Sequence, residues 1–315
     1  MPLSEKKLIE RVRKMAGRGA SVVTGIGDDA AVLRIPPGHE MLVTTDFSIE
    51  NVHFRREWHS PQVVGWRCLT RGLSDIAAMG GEPQAAFLSL AVGEDVPQRW
   101  VDGFVGGLLD LSRKFKVPLA GGDTAQSVAG IQADIVVVGS VPRGKAVLRS
   151  GAEAGESIYV TGDLGGSAAA LARLFGGQPV SRKQVRHFRP MARVAVGRWL
   201  RTGGVASAMI DVSDGLSTDL EHICSESGVG AEIEAESIPR GPGNTAQSRV
   251  ELKYALHGGD DYELLFTSSG AVPSKIAGVP VTRIGQTTKK PGMVLINSKG
   301  KARKLKAEGW QHFGG

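Results

Sequence analysis

The chain has 315 residues, of which 41% are hydrophobic and 22% are charged, which is typical of a globular protein and excludes a disordered or fibrous one. Because single domains usually have about 100–200 residues, we expect two domains, at residues 1–141 and 142–315. The formal net charge is +6, but only 5% of the residues are aromatic, so nucleic-acid binding is not expected.

The first predicted element is a charged amphipathic helix that begins near Ser4 and lacks the apolar core of a signal peptide. No apolar run of the sequence is long enough to span a membrane. The two cysteines, Cys68 and Cys224, lie far apart in helical patterns. We therefore expect a cytoplasmic protein with no membrane contact, whose thiols are reduced and packed in the interior.

The first half of the chain then alternates strands with two long helices. The predicted strands are residues 41–45, 85–92 and 132–141, which are apolar and bounded by turn residues. One helix is predicted over residues 61–79, and Gly80 and Gly81 end it. The other extends from Pro97 to about Lys116, with apolar residues at spacings of three and four. These apolar faces predict a core.

After Pro142 the alternation begins again, and this predicts a second domain of mixed strands and helices. The predicted strands are residues 157–161, 208–212, 231–233 and 263–267. The predicted helices begin near Ser167, Ala192 and Ser217. The fold class that we predict is therefore α+β in two domains.

Several predicted elements end on aspartate beside glycine, serine or threonine. The segments are Gly27-Asp28-Asp29, Thr44-Thr45-Asp46, Leu73-Ser74-Asp75, Gly121-Gly122-Asp123-Thr124 and Asp211-Val212-Ser213-Asp214-Gly215. Each one alone is more often a turn or a helix cap. Carboxylates gathered at 4 Å, however, repel by about 4 kcal/mol per pair at an effective dielectric near 20, so a cluster needs cations. Oxygen ligands favour Mg²⁺ shared with nucleotide phosphates.

Two glycine-rich segments have features of phosphate-binding loops. Residues 139–146 match G-x-x-x-x-G-K, but Ala146 replaces the required Ser or Thr and no convincing helix follows, so this segment is not a P-loop. Residues 162–167 join a strand to a helix whose N–H groups could face an anion, although close strand–helix packing explains the glycines equally well. The protein-kinase signature and zinc-ligand spacings are absent.

Taken in order, the motifs resemble those of the thiamine-monophosphate kinase family over nearly the whole chain. They are residues 25–31, 44–46, 51–54, 73–80, 121–124, 211–216 and 258–264. The resemblance implies the two-domain fold of the aminoimidazole ribonucleotide synthase superfamily. In that fold the N-terminal sheets of two subunits form a barrel at a homodimer interface, and the C-terminal domain is an α/β sandwich that completes the nucleotide and substrate site.

The resemblance also implies site residues. The implied Mg²⁺ ligands are Asp29, Thr44, Thr45, Asp46, Asp75, Asp123, Asp211 and Asp214. The implied ATP contacts are Gly122, Asp123, Arg149 and Ser213, and the implied thiamine monophosphate contacts are His53, Asp260 and Trp310. The family commonly has Glu at the position of Asp260 and also has Tyr at the position of Trp310.

The implied reaction is ATP-dependent phosphorylation of thiamine monophosphate to thiamine diphosphate with several Mg²⁺ ions and no general base. The acceptor is a phosphate monoester whose second pKa is about 6, so it is already an anion at neutral pH. The barrier is then the repulsion between two anionic phosphates, which Mg²⁺ can screen while it aligns the reacting oxygens.

Two other functions remain open. One is a related ATP-dependent synthase that acts on another small substrate, although the first 67 residues lack the Cys of selenophosphate synthetase and the C-terminal end lacks that of the hydrogenase-maturation protein. The other is a regulator that binds nucleotide and metal without catalysis. The retention of nearly every ligand position of the family argues against this function. For single residues, Arg149 can equally be a surface residue, His53 a structural histidine and Trp310 a core residue.

Overall fold

A computed structural model of the chain describes residues 3–17, 19–27, 29–180, 182–243 and 248–312, with the side chains of residues 182 and 183 excepted. Asp28, part of the first aspartate motif, lies outside the described residues. The chain divides into two compact units. The first is Met1–Ile76 with Gly81–Gly144, and the second is Ala77–Gly80 with Lys145–Gly315.

The described part of the first unit contains three helices and six strands. In chain order they are α1 (Glu5–Met15), β1 (Val22–Thr24), β2 (Val32–Leu33), β3 (His39–Ile49), α2 (Pro61–Ala78), β4 (Glu82–Val92), α3 (Gln98–Phe115), β5 (Leu119–Gln126) and β6 (Gln132–Pro142). The predicted strands at β3, β4 and β6 and the predicted helices α2 and α3 are confirmed. Strand β5 was not predicted from the sequence.

The main sheet of this unit has the strand order β3-β6-β4-β5. β6 pairs antiparallel with β3 and with β4, whereas β4 and β5 are parallel. The helices bury their apolar stripes: Leu73 in α2 and Phe104 and Leu108 in α3 are fully buried. The 3.6-residue spacing that predicted these helices thus marks the residues of the core.

Strand β3 is an edge strand of this sheet among the described residues, and its two faces differ. Leu42 and Ser48 on one face are buried. On the other face Met41, Val43 and Phe47 are 58%, 59% and 56% exposed. Because side chains alternate along a strand, this second face is an exposed row of large apolar residues.

The described part of the second unit contains four helices and eight strands, with short 3₁₀ turns at Arg182–His187 and Ala235–Ser237. The regular elements are β7 (Ser157–Thr161), α4 (Gly166–Phe175), α5 (Val194–Thr202), β8 (Ala208–Val212), α6 (Leu216–Ser227), β9 (Gly230–Glu234), α7 (Leu252–His257), β10 (Glu263–Ser268), β11 (Lys275–Ile276), β12 (Val279–Thr288), β13 (Gly292–Ile296) and β14 (Ala302–Leu305). All the strands and helices predicted for this half are confirmed, whereas α7 and β11–β14 were not predicted.

The strands of the second unit form one mixed sheet with the order β14-β13-β9-β12-β7-β10-β8, and β11 pairs with β12. Successive residues of one strand enter different apolar clusters: Met209 packs with Leu200 of α5, and Ile210 packs with Leu220 of α6. Helices therefore cover both faces of the sheet. Each unit thus has a mixed arrangement of helices and strands, in agreement with the predicted class.

Both cysteines are buried and neither forms a disulfide, as expected from the sequence. Burial raises the pKa of Cys68 to about 12 and that of Cys224 to about 11, so both are protonated thiols at neutral pH. In the described part of the chain, none of the helices combines the length and the apolar character that a membrane span requires.

Candidate active site

Two pairs of polar side chains join strand β3 to helix α2. The hydroxyl of Thr44 donates a hydrogen bond to Oδ2 of Asp75, and Nη1 of Arg71 lies 3.5 Å from Oδ1 of Asp46. Residues 44 and 46 share one face of the strand, and residues 71 and 75 are one turn apart on the helix, so the pairs lie side by side. Three predicted ligands, Thr44, Asp46 and Asp75, are therefore on facing surfaces. Arg71 was not predicted.

Thr45 points to the opposite face of β3. Its hydroxyl donates a 2.6 Å hydrogen bond to Oδ1 of Asp134 in the adjacent strand β6. Since successive side chains of a strand alternate, the hydroxyl of Thr45 is not on the surface that carries Thr44 and Asp46. Its assignment to a metal ion stays a prediction.

A cavity of ≈ 710 Å³ in the first unit contains three of the predicted residues. Asp29, Gly122 and Asp123 line it, together with apolar side chains of α1 such as Leu8. At Gly122, where φ is +148°, a Cβ atom would lie 1.9 Å from the carbonyl oxygen of Leu88, so only glycine allows β5 to approach β4 here. Gly122 thus allows the strand pairing that places Asp123 at the wall of the cavity.

His53 is tied back to the end of β3. The backbone N–H of Ile49 donates to Nδ1 of His53 at 3.0 Å, and the N–H of His53 donates to the carbonyl oxygen of Ile49 at 2.8 Å. The ring is half-buried. These contacts give His53 a structural role, and its contact with substrate stays a prediction.

In the second unit the loop after β8 holds several carboxylates. Asp211 is buried at the end of β8, and the N–H groups of Asp214 and Gly215 donate to Oδ2 of Asp219 at 3.2 and 2.9 Å. Burial, together with the negative charges of Asp211 and Asp214, raises the pKa of Asp219 to about 8, although the two N–H donors oppose the rise. Asp219 was not predicted as a site residue, although it lies one helical turn beyond the Ser-Asp-Gly motif.

The segment before β10 is joined to the same loop. The N–H of Asp260 donates to the carbonyl oxygen of Ser213 at 2.8 Å, and the N–H of Tyr262 donates to that of Val212 at 2.9 Å. A Cβ atom on Gly259 would lie 2.4 Å from the carbonyl oxygen of Ser213. The predicted ATP contact Ser213 and the predicted substrate contact Asp260 are therefore neighbours.

Arg149 and Trp310 are both exposed, Trp310 by 51%. The carbonyl oxygen of Arg149 accepts a 3.1 Å hydrogen bond from the hydroxyl of Ser227, at the end of α6. The N–H of Trp310 donates to the carbonyl oxygen of Asp214 at 2.9 Å. Because about half of the residue is accessible, Trp310 is not a core residue.

A buried ion pair in the second unit was missed from the sequence. Nε of Arg193 donates to Oε2 of Glu263 at 2.6 Å, and the second guanidinium nitrogen, Nη2, donates to Oε1. The hydroxyl of Thr161 also donates to Oε2, at 2.6 Å. Burial raises the pKa of Glu263, and the charge of Arg193 opposes this. The partners are 70 positions apart in the sequence, which explains why no local pattern reveals the pair.

No group of three or more His, Cys, Asp or Glu side chains in the described ranges is close enough to hold a metal ion. The predicted ligands occur instead as smaller sets within each unit: Thr44, Asp46 and Asp75; Asp29 and Asp123; Asp211 and Asp214. Their donor atoms are all oxygen, which fits Mg²⁺ better than a thiolate- or imidazole-binding metal.

Two family models match the chain. The model for the N-terminal domain of AIR synthase related proteins matches residues 27–141, and the model for their C-terminal domain matches residues 153–297. Together they cover most of the sequence.

Individual proteins are similar over almost the full length. The thiamine-monophosphate kinase of Salmonella typhimurium strain LT2 is 39% identical over 279 residues, which is 84% of each chain. The crystal structure of thiamine-monophosphate kinase from Stenotrophomonas maltophilia K279a superposes with a TM-score of 0.81 at 33% identity, covering 96% of this chain and 99% of that one. The structure of AaThiL complexed with AMPPCP and TMP has a TM-score of 0.77 at 32% identity, with 98% and 96% coverage. The chain therefore belongs to the thiamine-monophosphate kinase family, whose two domains are those of the AIR synthase related proteins.

Proposed function

We propose that the chain transfers the γ-phosphoryl group of ATP to thiamine monophosphate and so forms thiamine diphosphate. The observation that carries the proposal is the cavity beside Asp29, Gly122 and Asp123, in a chain that is similar over 98% of its length to a protein solved with AMPPCP and TMP. A glycine-lined cavity with carboxylates at its wall suits a metal-bound polyphosphate.

The oxygen ligands proposed for several Mg²⁺ ions are Asp29, Thr44, Thr45, Asp46, Asp75, Asp123, Asp211 and Asp214. The hydrogen bond from Thr44 to Asp75 supports this set, because it brings two of the proposed oxygen ligands into direct contact. When bound, Mg²⁺ supplies screening of the phosphate charges and alignment of the attacking and leaving oxygens.

We further propose that Gly122, Asp123, Arg149 and Ser213 contact ATP and that His53, Asp260 and Trp310 contact thiamine monophosphate. The exposed guanidinium of Arg149 can bind a phosphate with two N–H groups. The exposed indole of Trp310 can stack on the cationic thiazolium ring, and the carboxylate of Asp260 can pair with that cation.

No side chain is needed as a general base in this reaction. A phosphate oxygen of thiamine monophosphate forms the new bond to the γ-phosphorus, while the bond to the β-γ bridging oxygen breaks and ADP leaves with that electron pair. Because the acceptor is already an anion above its second pKa of about 6, no proton has to be removed. The protein residues bind and orient the two phosphates and exclude water.

We also propose domains at residues 1–141 and 142–315, a cytoplasmic location and a homodimer. The exposed apolar row of β3, Met41, Val43 and Phe47, supports a dimer in which the first sheets of two subunits close a barrel. Phe47→Asp should then convert the dimer to a monomer in light scattering, and a wild-type monomer at micromolar concentration would refute the dimer.

The function is tested by incubating the protein with ATP, Mg²⁺ and thiamine monophosphate and following thiamine diphosphate by chromatography, with EDTA and no-acceptor controls. We expect thiamine diphosphate and ADP in equal amounts, and neither in either control. Acceptor-independent ATP hydrolysis, or ATP binding without product, would refute the kinase and favour a related enzyme with another acceptor or a regulatory binder.

A further inference from the structure

Three consecutive backbone N–H groups near the C-terminal end donate hydrogen bonds to the first turn of α6 and to the loop that leads into it. We call Glu308, Gly309 and Trp310 the tail segment. The N–H of Glu308 donates to Oγ of Ser217 at 3.3 Å, and the N–H of Gly309 donates to Oγ1 of Thr218 at 3.0 Å. The N–H of Trp310 donates to the carbonyl oxygen of Asp214 at 2.9 Å.

The tail segment approaches this loop so closely that its central residue must be glycine. A Cβ atom built on Gly309 would lie 2.3 Å from the carbonyl oxygen of Asp214 and 2.6 Å from Oγ1 of Thr218. Contacts this short with a backbone atom cannot be relieved by rotating a side chain, so an alanine would displace the tail. This docking therefore requires glycine at position 309.

A second connection supports the same arrangement. Oγ of Ser217 lies 2.9 Å from Nδ1 of His257, and Nε2 of His257 lies 3.8 Å from Oε2 of Glu308. If the hydroxyl of Ser217 donates to Nδ1, its oxygen still accepts the N–H of Glu308, so one serine serves both contacts. Ser217 is fully buried and Thr218 is 4% exposed, so the two accepting hydroxyl groups are shielded from water although the hydrogen bonds are only partly buried.

The indole of Trp310 stays accessible although its backbone is fixed. Half of the residue is exposed, while its N–H is bonded to Asp214, which the proposed function assigns to Mg²⁺. An aromatic residue whose backbone is held beside a carboxylate site loses less conformational entropy on binding a ligand than one on a mobile terminus. The docking therefore has a consequence for ligand affinity as well as for folding.

We propose that Thr218, together with Ser217 and Gly309, positions Trp310 for thiamine monophosphate and so sets the affinity for the acceptor. These are positioning residues, because they act through the tail segment and not by touching the substrate. The inference rests on the proposed function, since it takes thiamine monophosphate as the ligand of Trp310.

The kinetic test compares Thr218→Val, which keeps the volume of the side chain but removes the acceptor for the N–H of Gly309, with Thr218→Ser, which retains a hydroxyl. Thr218→Val and Gly309→Ala should each raise the KM for thiamine monophosphate by about tenfold, the equivalent of one lost hydrogen bond, and change the KM for ATP by less than about twofold. Thr218→Ser and the control Gly270→Ala, whose Cβ would meet only Ser268 Oγ at 3.9 Å, should behave as wild type.

A double-variant cycle of Thr218→Val and Trp310→Ala then distinguishes the positioning of Trp310 from general damage to α6. In a Trp310→Ala background, Thr218→Val should have no further effect on the KM for thiamine monophosphate, because the side chain that it positions is gone. Hydrogen exchange provides a readout independent of activity: the amides of Gly309 and Trp310 should exchange about tenfold faster in Thr218→Val than in wild type.

If the wild-type enzyme forms thiamine diphosphate normally, three results would overturn the inference. The first is an unchanged KM for thiamine monophosphate in Thr218→Val, and the second is an equal rise of the KM values for thiamine monophosphate and ATP. The third is that Thr218→Val raises the KM for thiamine monophosphate as much in the Trp310→Ala background as in the wild type. A wild-type protein that forms no thiamine diphosphate would instead overturn the proposed function, and this inference with it. The two failures are therefore distinguishable by the wild-type rate alone.

Discussion

The hydroxyl of Tyr262 donates a 2.6 Å hydrogen bond to Oδ1 of Asp260, and both residues have left-handed backbone conformations, with φ of +53° and +65°. This conformation costs roughly 1–2 kcal/mol for each residue other than glycine. Tyr262 is nevertheless 1% exposed and its N–H is bonded to Val212, so the surrounding structure holds it in place. The strained segment fixes the direction of the Asp260 carboxylate.

Tyr262→Phe removes this hydrogen bond and keeps the buried ring. We expect the KM for thiamine monophosphate to rise by about three- to tenfold, because the carboxylate of Asp260 is then less restrained. The KM for ATP should not change. Tyr159→Phe is a matched control, since the ring of Tyr159 stacks on Phe266 with centroids 5.3 Å apart. A Tyr262→Phe enzyme with wild-type KM values would mean that the hydrogen bond serves only folding.

The long helices with strong apolar spacing could be predicted from the sequence, whereas a strand with a polar sequence, β5, could not. Helix α3 was predicted because Phe104 and Leu108 recur on one face, and both are buried. Strand β5 was missed because its sequence, Leu-Ala-Gly-Gly-Asp-Thr-Ala-Gln, carries site residues in place of an apolar pattern. Its strand conformation depends on pairing with β4, which is non-local.

The same distinction applies to the site. The aspartate motifs could be recognised because each is contiguous in the sequence. The partners that orient them, such as Arg71 for Asp46 and Thr218 for the tail segment, are set by contacts between distant elements. The face to which a side chain points also depends on the register of the strand, as the separation of Thr45 from Thr44 shows.

Removing one partner of the buried pair of Arg193 and Glu263 should strongly reduce the stability of the protein. The side chains are 14% and 1% exposed, so Arg193→Met would leave the buried carboxylate with only the more exposed Arg186, 3.3 Å from Oε1, as a cationic partner. We expect the free energy of unfolding to fall by up to about 3–5 kcal/mol in urea denaturation, the cost of breaking a buried pair, less whatever Arg186 offsets. The double variant Arg193→Met with Glu263→Gln should recover part of this loss, because it removes the buried charge.

The exposed pair of Arg283 and Glu234 is the matched control for this experiment. Its side chains are 42% and 49% exposed and its closest atoms are 3.0 Å apart. Arg283→Met should therefore cost no more than about 1 kcal/mol. Equal losses for Arg193→Met and Arg283→Met would contradict the view that burial decides the energy of the first pair.

The raised pKa of the buried Asp261 carboxyl group should make the free energy of unfolding depend on pH. Burial raises its pKa to about 8, although the N–H groups of Gly165 and Ser167 donate to the carboxyl group at 2.6 and 3.4 Å and oppose the rise. In the unfolded chain an Asp titrates near about 3.9. Between these values the folded state holds a proton that the unfolded state has lost. The contribution of Asp261 is therefore complete below about pH 4 and decreases up to about pH 8, by at most about 1.4 kcal/mol per pH unit.

The variant Asp261→Asn cannot titrate, and its amide oxygen can still accept from Gly165. The difference in the free energy of unfolding, wild type minus variant, should thus decrease from pH 5 to pH 8 in paired urea titrations, in which the other titrating groups cancel. A difference that is constant or that increases with pH would show that the carboxyl group is ionised in the folded protein at pH 5.

Asp46 tests the magnesium assignment on β3. Asp46→Asn keeps the size of the side chain and removes the charge that faces Arg71 at 3.5 Å. Because this surface is proposed to hold Mg²⁺ against the phosphates, the rate of thiamine diphosphate formation should fall by at least about 100-fold at every Mg²⁺ concentration. The ion pair is partly exposed, so the thermal midpoint should shift by only a few degrees, about what 1 kcal/mol produces.

Asp110→Asn on α3 provides the comparison, since Asp110 pairs with Arg113 at 2.5 Å on an exposed helix face. This variant removes one carboxylate from an ion pair without touching any proposed ligand, and its turnover should equal that of wild type. Loss of activity in both variants would indicate a general effect of charge. A folded Asp46→Asn enzyme with wild-type turnover would instead show that Asp46 is not a metal ligand. Thr44 and Asp75 would then be the only ligands proposed on the facing surfaces of β3 and α2.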